Sequence, residues 1–223
     1  MSEAAAPAGA EPPWRRSACL IGVGALLWTA QGFGMNSVAT NTTQIQGALG
    51  ATLTETNWLI AAYMAPAVSF TLLLSKIRTQ FGLRRFTELA LLAFAAASLL
   101  HLAADDLKST LFMRFLAGAA AAPISTLGFL YTLEAFSPAR KMTWGLSLAL
   151  TCSTANPLLA RMISPFLLDI GGWHGLYAME IGLALICFAA VYTVSLAPVP
   201  HEKVLHRLDF ISYAFVATGL GCL

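Results

Sequence analysis

Three ionisable residues of this chain stand inside apolar runs, where a charge needs a reason to be. Arg114 lies in LFMRFLAGAAAAPISTLGF, Arg161 in TCSTANPLLARMISPFLLDIGGW and Glu180 in GLYAMEIGLALICFAA. A charge near the middle of a bilayer costs roughly 2.5–3.5 kcal/mol on insertion scales unless it is paired, hydrated or close to an interface. Intramembrane charges of this kind serve ion pairs, proton relays or substrate paths. Gln31 and Asn36 share the first apolar run with Gly32 and Gly34, and Asn41 follows. Their amides can bind a substrate or bond neighbouring helices.

Other chemistries find no constellation. His101, His174, His201 and His206 fall in or beside connectors without clustered ligand spacing, so no metal site is expected. Cys19, Cys152, Cys187 and Cys222 occupy apolar runs without a CxxC spacing and read as small packing hydrophobes. No glycine-rich phosphate loop precedes a helix. The expectation is therefore no catalytic residue, no metal and no cofactor: a protein that is not an enzyme.

The elements that must hold these residues follow from composition. Of 223 residues, 57% are hydrophobic and only 11% charged. A soluble domain carries about 25% charged residues, so this chain has too few to cover a watery surface. The net charge of +2 gives no reason to invoke nucleic acid. A membrane-crossing helix needs about 20 apolar residues. Six segments meet that length, near 18–39, 57–76, 86–104, 109–135, 143–168 and 175–197, and a seventh begins near Phe210. Strand-like alternation is absent, so the reading is an all-α polytopic membrane protein. Residues 1–16 are expected to be a disordered cytoplasmic tail rich in Ala and Pro, 17–198 a six-helix bundle, 199–208 a cytoplasmic linker and 209–223 the truncated start of helix seven. The chain reads as the N-terminal part of something longer.

Basic residues gather in alternate connectors: Arg15 and Arg16, then Lys76, Arg78, Arg84 and Arg85, then Arg140 and Lys141, then Lys203 and Arg207. The intervening connectors hold Glu55, Asp105, Asp106 and Asp169, with Lys108 their one base. The positive-inside rule places the N-terminus and the basic loops in the cytoplasm.

The stretch NWLIAAYMAPAVSFTLLLSKIRTQFGLRR resembles the second helix and following loop of major facilitator superfamily transporters, and most nearly the fourteen-helix drug:proton antiporters. Trp58, Ala62 and Tyr63 match the helix, and Lys76, Arg78, Gly82, Arg84 and Arg85 match a gating loop like G-x-L-A-D-R-x-G-R-R. Thr79 stands where that loop has its acid. Arg114 and Gly118 resemble the R-x-x-Q-G motif of helix four, with Ala117 in the glutamine position. The helix-five pattern G-x-x-x-G-P-x-x-G-G, with its following Asp and Trp, falls on Asn156, Ala160, Arg161, Ser164, Pro165, Asp169 and Trp173. Arg161 thus takes a proline's place, while Pro157 and Pro165 are expected to bend the helix. In helix one, where the family often has an acid, this chain has Gly34.

The resemblance implies the first six-helix half of an alternating-access transporter, built of two three-helix repeats. It further implies proton-coupled efflux of drug-like or toxic amphiphiles from the bacterial inner membrane. The implied partners are membrane lipid, a small-molecule substrate, protons and a C-terminal half, with a periplasmic adaptor and an outer-membrane channel alongside. The lost acids leave an importer, or a facilitator without protons, as an alternative. An inactive fragment and a membrane sensor or scaffold are the others. Two placements remain open for Arg114, a central cavity or snorkelling to the outer interface. Arg161 and Glu180 lie at similar depths on helices joined by DIGGWHG, and are expected to approach each other or share a polar pocket; snorkelling of both is the alternative.

Overall fold

A computed structural model describes residues 14–81, 83–104 and 106–194, without side chains at 72–73 and 75–85. The elements are α1 (Trp14–Thr40), α2 (Thr42–Leu49), α3 (Leu53–Phe81), α4 (Leu83–His101), α5 (Leu107–Glu134), α6 (Pro138–Arg140), a π-helical turn (Lys141–Gly145) and α7 (Leu146–Thr193). No strand occurs among the described residues. Helix α1 already runs at Trp14, inside the segment expected to be a tail. Residues 195–223, with the expected linker and seventh helix, lie outside the described residues, as does Gly82.

The DIGGWHG segment is not an open connector. Helix α7 runs through it and breaks only at Gly172, whose φ of 58° and ψ of −153° are open to glycine alone. Both expected prolines lie in the first arm, 146–171, whose backbone stays helical through them. The second arm is 173–193. Among the described residues six long rods result: α1, α3, α4, α5 and the two arms. Among the described residues, three helices are long and apolar enough to cross a membrane by length and composition: Trp14–Thr40, Leu107–Glu134 and the doubled Pro138–Thr193.

Local chemistry fixes where the rods begin. Thr52 and Glu55 form a reciprocal cap at the start of α3: the Glu55 carboxylate accepts from the Thr52 amide at 2.8 Å, and the Glu55 amide donates to the Thr52 hydroxyl at 3.3 Å. Asp106 and Ser109 form the equivalent capping box on α5. The hydrogen bond from the Ser109 hydroxyl holds the Asp106 carboxyl below its ordinary range, and the bonds from Thr52 do the same for Glu55. The acids of the less basic connectors thus include two that satisfy orphan amides at helix N-termini. These caps share one end of the bundle with Gly172, called here the acidic end. At the other end Lys141 pairs with Glu134 at 3.0 Å, half in solvent, so the bond contributes about 0–1 kcal/mol.

Helix α1 packs on α5 and α7, α3 on α5, and α4 on α5 and α7, so α5 is central. Small residues set the spacing. A Cβ on Gly118 of α5 would run into the backbone carbonyl of Tyr63 on α3, so these helices touch main chain to main chain. The surface is oily, with Leu89, Phe112, Leu158, Met162, Phe166 and Ile170 exposed, while Arg114 and Glu180 are fully buried. That inversion suits a lipid solvent rather than water.

Candidate functional site

Five rods deliver polar groups to one place, within about three helical turns of the acidic end. Helix α1 brings Gln31, Gly34 and Ser37; α3 brings Leu59 and Tyr63; α4 brings Ser98 and His101. Arg114 comes from α5, and Tyr177 and Glu180 from the second arm of α7. Arg114 and Glu180 face each other with Nη1 4.0 Å from Oε1, both side chains wholly shielded from solvent. Burial at this level is tolerated only when each charge also finds hydrogen bonds. Arg114 Nη1 donates to the Gly34 carbonyl at 2.9 Å, and Nε points to the Leu59 carbonyl at 3.5 Å. The guanidinium lies over the Tyr63 ring, 4.3 Å from its centre, a cation–π contact in a desolvated setting.

The carboxylate is supported from both sides. Ser37 donates to Oε1 and Ser98 to Oε2, each at 3.3 Å. Gly34 and Ser37 stand one turn apart, so a single turn of α1 offers an acceptor to the cation and a donor to the anion. The Tyr63 hydroxyl is tied down by donating to the Gln31 carbonyl at 3.4 Å. Towards the acidic end, the His101 ring stacks on Tyr177 with centroids 4.1 Å apart. Trp173 meets Tyr177 edge-on at 5.7 Å.

The sequence-based expectations divide here. Arg114 does not snorkel; it is fully buried and is the cation of the pair. The expected approach of Arg161 to Glu180 is overturned. Asn156, Ala160 and Ser164 recur every four residues as a buried stripe, whereas Arg161 is one residue past Ala160 and is exposed. Helical phase therefore turns it away, and Glu180 meets Arg114 instead. Asn156 donates to the Trp28 carbonyl on α1 at 2.9 Å, so this motif position binds helix to helix. Pro157 is half-buried and Pro165 exposed. Asn36 bonds back to the Gly32 carbonyl at 2.8 Å and Asn41 to the Ser37 carbonyl at 2.7 Å, within their own segment. Gln31 is buried, with its amide 3.8 Å from the Met35 sulfur. Of the gating loop, Gly82 and the side chains of Lys76, Arg78, Arg84 and Arg85 lie outside what the structure describes. Among the described residues no group of three metal-ligating side chains occurs.

Sequence reasoning passed over Ser37, Ser98 and Tyr177, and read His101, which is buried at the end of α4, as a connector residue. A signal was present: Ser98 with His101, and Tyr177 with Glu180, are i, i+3 pairs and so share helix faces.

An apolar exterior around an ion pair buried where five rods meet is the make of a polytopic membrane protein. A family model described as Major Facilitator Superfamily matches residues 21–217. Among solved structures, an auto-inhibited POT family peptide transporter is similar with a TM-score of 0.66 at 16% identity, over 84% of this chain and 39% of its own. The human organic anion transporter MFSD10 (TETRAN) is similar with a TM-score of 0.67 at 14% identity, over 94% of this chain and 55% of its own. The chain thus spans about half the length of these transporters or less. No curated protein sequence matches it. The chain belongs to the Major Facilitator Superfamily, and it is a multi-pass membrane protein.

Proposed function

We propose that this chain is the N-terminal bundle of a proton-coupled exporter of drug-like amphiphiles, with Glu180 the proton carrier and Arg114 its fixed counter-charge. The observation that carries the reading is the buried Arg114–Glu180 pair. A guanidinium keeps its proton at any physiological pH, whereas a carboxylate can gain one, so a proton arriving at this pair lands on Glu180. Gaining it neutralises the anion and loosens α7 from α5, the change in helix contacts that alternating access needs.

The resemblance to drug:proton antiporters puts an acid on helix one, where this chain has Gly34. A Cβ built on Gly34 would sit 3.5 Å from Glu180 Oε1, so an acid reaching in from helix one would compete for the same spot. Glu180 supplies that carboxylate from the opposite side. On this reading the acidic end faces outward and the N-terminus lies in the cytoplasm of a bacterial cell. Arg161, a charge exposed on the first arm and so in need of a neighbour other than lipid, faces the C-terminal half and lines the path shared with it. The gating-loop residues latch the inward side, and a periplasmic adaptor and outer-membrane channel extend the route.

The test is accumulation of a cationic dye in cells carrying the intact gene, with and without an uncoupler. Lower accumulation that the uncoupler abolishes, and that Glu180→Gln also abolishes, is the expected result. Accumulation raised by the protein, or lowered regardless of uncoupler, would refute export driven by protons and favour an importer or a simple facilitator.

A further inference from the structure

Three polar atoms beside the ion pair are buried without a hydrogen-bond partner among the described residues: His101 Nε2, the Tyr177 hydroxyl and Arg114 Nη2. All three side chains are at most 1% exposed. Each such atom costs about 1–3 kcal/mol if nothing meets it, and three together are too many to leave unmet.

Their chemistry is complementary. His101 Nδ1 lies 3.3 Å from the Ala97 carbonyl, which can only accept, so Nδ1 carries the hydrogen in the neutral ring. Nε2 is then a bare lone pair that needs a donor. Arg114 Nη2 has hydrogens and needs an acceptor, and the tyrosine hydroxyl takes either role. The rings of His101 and Tyr177 are stacked at 4.1 Å, and the Arg114 charge acts on both. Water both donates to a nitrogen lone pair and accepts from a guanidinium, which is the chemistry these three atoms call for.

We propose that His101, Tyr177 and Arg114 hold a buried water that forms the last step of a proton inlet from the acidic end to Glu180. The relay rests on the proton-coupled reading above; the water site does not. In the relay a proton adds to the water, a second leaves it for a Glu180 carboxylate oxygen, and Arg114 keeps all of its own. The Trp173 edge against Tyr177 closes the inlet on the solvent side.

X-ray radiolytic labelling of the chain in lipid nanodiscs, in water enriched in oxygen-18, reads water beside aromatic rings. Tyr63 is the internal control: it is equally buried, but its hydroxyl is satisfied by Gln31. Tyr177 should label severalfold faster than Tyr63, and His101→Phe should bring Tyr177 down to the Tyr63 rate. Should His101→Phe not fold, Tyr177→Phe read at His101 serves instead, with loss of His101 labelling expected. Equal labelling of Tyr177 and Tyr63 in the unmodified chain, or labelling unchanged in a folded variant, would overturn the water site. For the relay, uncoupler-sensitive dye efflux by the intact gene product should slow severalfold in His101→Phe. Efflux at the unmodified rate from a variant that has lost its labelling would overturn the relay alone. Efflux indifferent to the uncoupler would remove the proton-coupled reading and the relay with it, leaving the water site to stand on the labelling.

Discussion

The Arg114–Glu180 pair makes a quantitative prediction through a double-mutant cycle. Glu180→Gln leaves a guanidinium that cannot shed its charge, fully buried and still held by the Gly34 and Leu59 carbonyls and the Tyr63 face. Removing one partner of a buried pair costs about 3–5 kcal/mol, and the remaining contacts put this variant near the lower figure, about 3 kcal/mol. Arg114→Met leaves a carboxylate still served by Ser37 and Ser98, which can also take up a proton, so its cost should be smaller, about 2 kcal/mol. The double variant holds no buried charge and keeps nearly the same volume, so it should lie within about 1 kcal/mol of the unmodified protein or exceed it. The singles thus sum to roughly 5 kcal/mol while the double costs little, a coupling on the order of 4 kcal/mol. Reversible unfolding in mixed micelles, or steric trapping in bicelles, measures all four corners. Additivity to within about 0.5 kcal/mol would refute the argument, because it would mean the two charges do not sense each other.

Two further predictions rest on contacts away from the pair. Gly118→Ala should destabilise the bundle by about 1–3 kcal/mol in the same unfolding assay, since the new methyl meets the Tyr63 carbonyl of a neighbouring main chain that cannot rotate aside. Asp106 has its carboxyl depressed by the Ser109 bond, so the cap contributes fully above the ordinary aspartate range and is lost as pH falls through the lowered value. Hydrogen exchange at the Lys108 and Ser109 amides should therefore quicken in acid beyond its intrinsic pH dependence, and Asp106→Asn should remove that excess.

Much of the fold was legible in residue types, because apolar runs of membrane length are coarse signals that survive substitution. The turn between Asp169 and Tyr177 was less legible. Helical hydrogen bonding continues up to and beyond Gly172, and only the glycine's mirror-image backbone reverses the chain. Arg114 stood out through its motif and its apolar surroundings. Its partner did not, since depth along a helix can be read by counting, but which of several helices a side chain faces depends on phase. Arg161 matched Glu180 in depth and missed it in phase; its neighbour Ala160 points inward in its stead. Ser37, Ser98 and Tyr177 were hard to single out for another reason. Serines and tyrosines in apolar helices are common, and only convergence on a charge distinguishes these.

The pocket also has a history written into chain order. Gly34, Leu59 and Tyr63, which receive the Arg114 guanidinium, are all synthesised before it, whereas Glu180 follows sixty-six residues later (180 less 114). A ribosome feeding this protein into lipid therefore delivers the cation to carbonyls and an aromatic floor already in place. The anion arrives last, into a berth whose two serines and whose guanidinium are waiting for it.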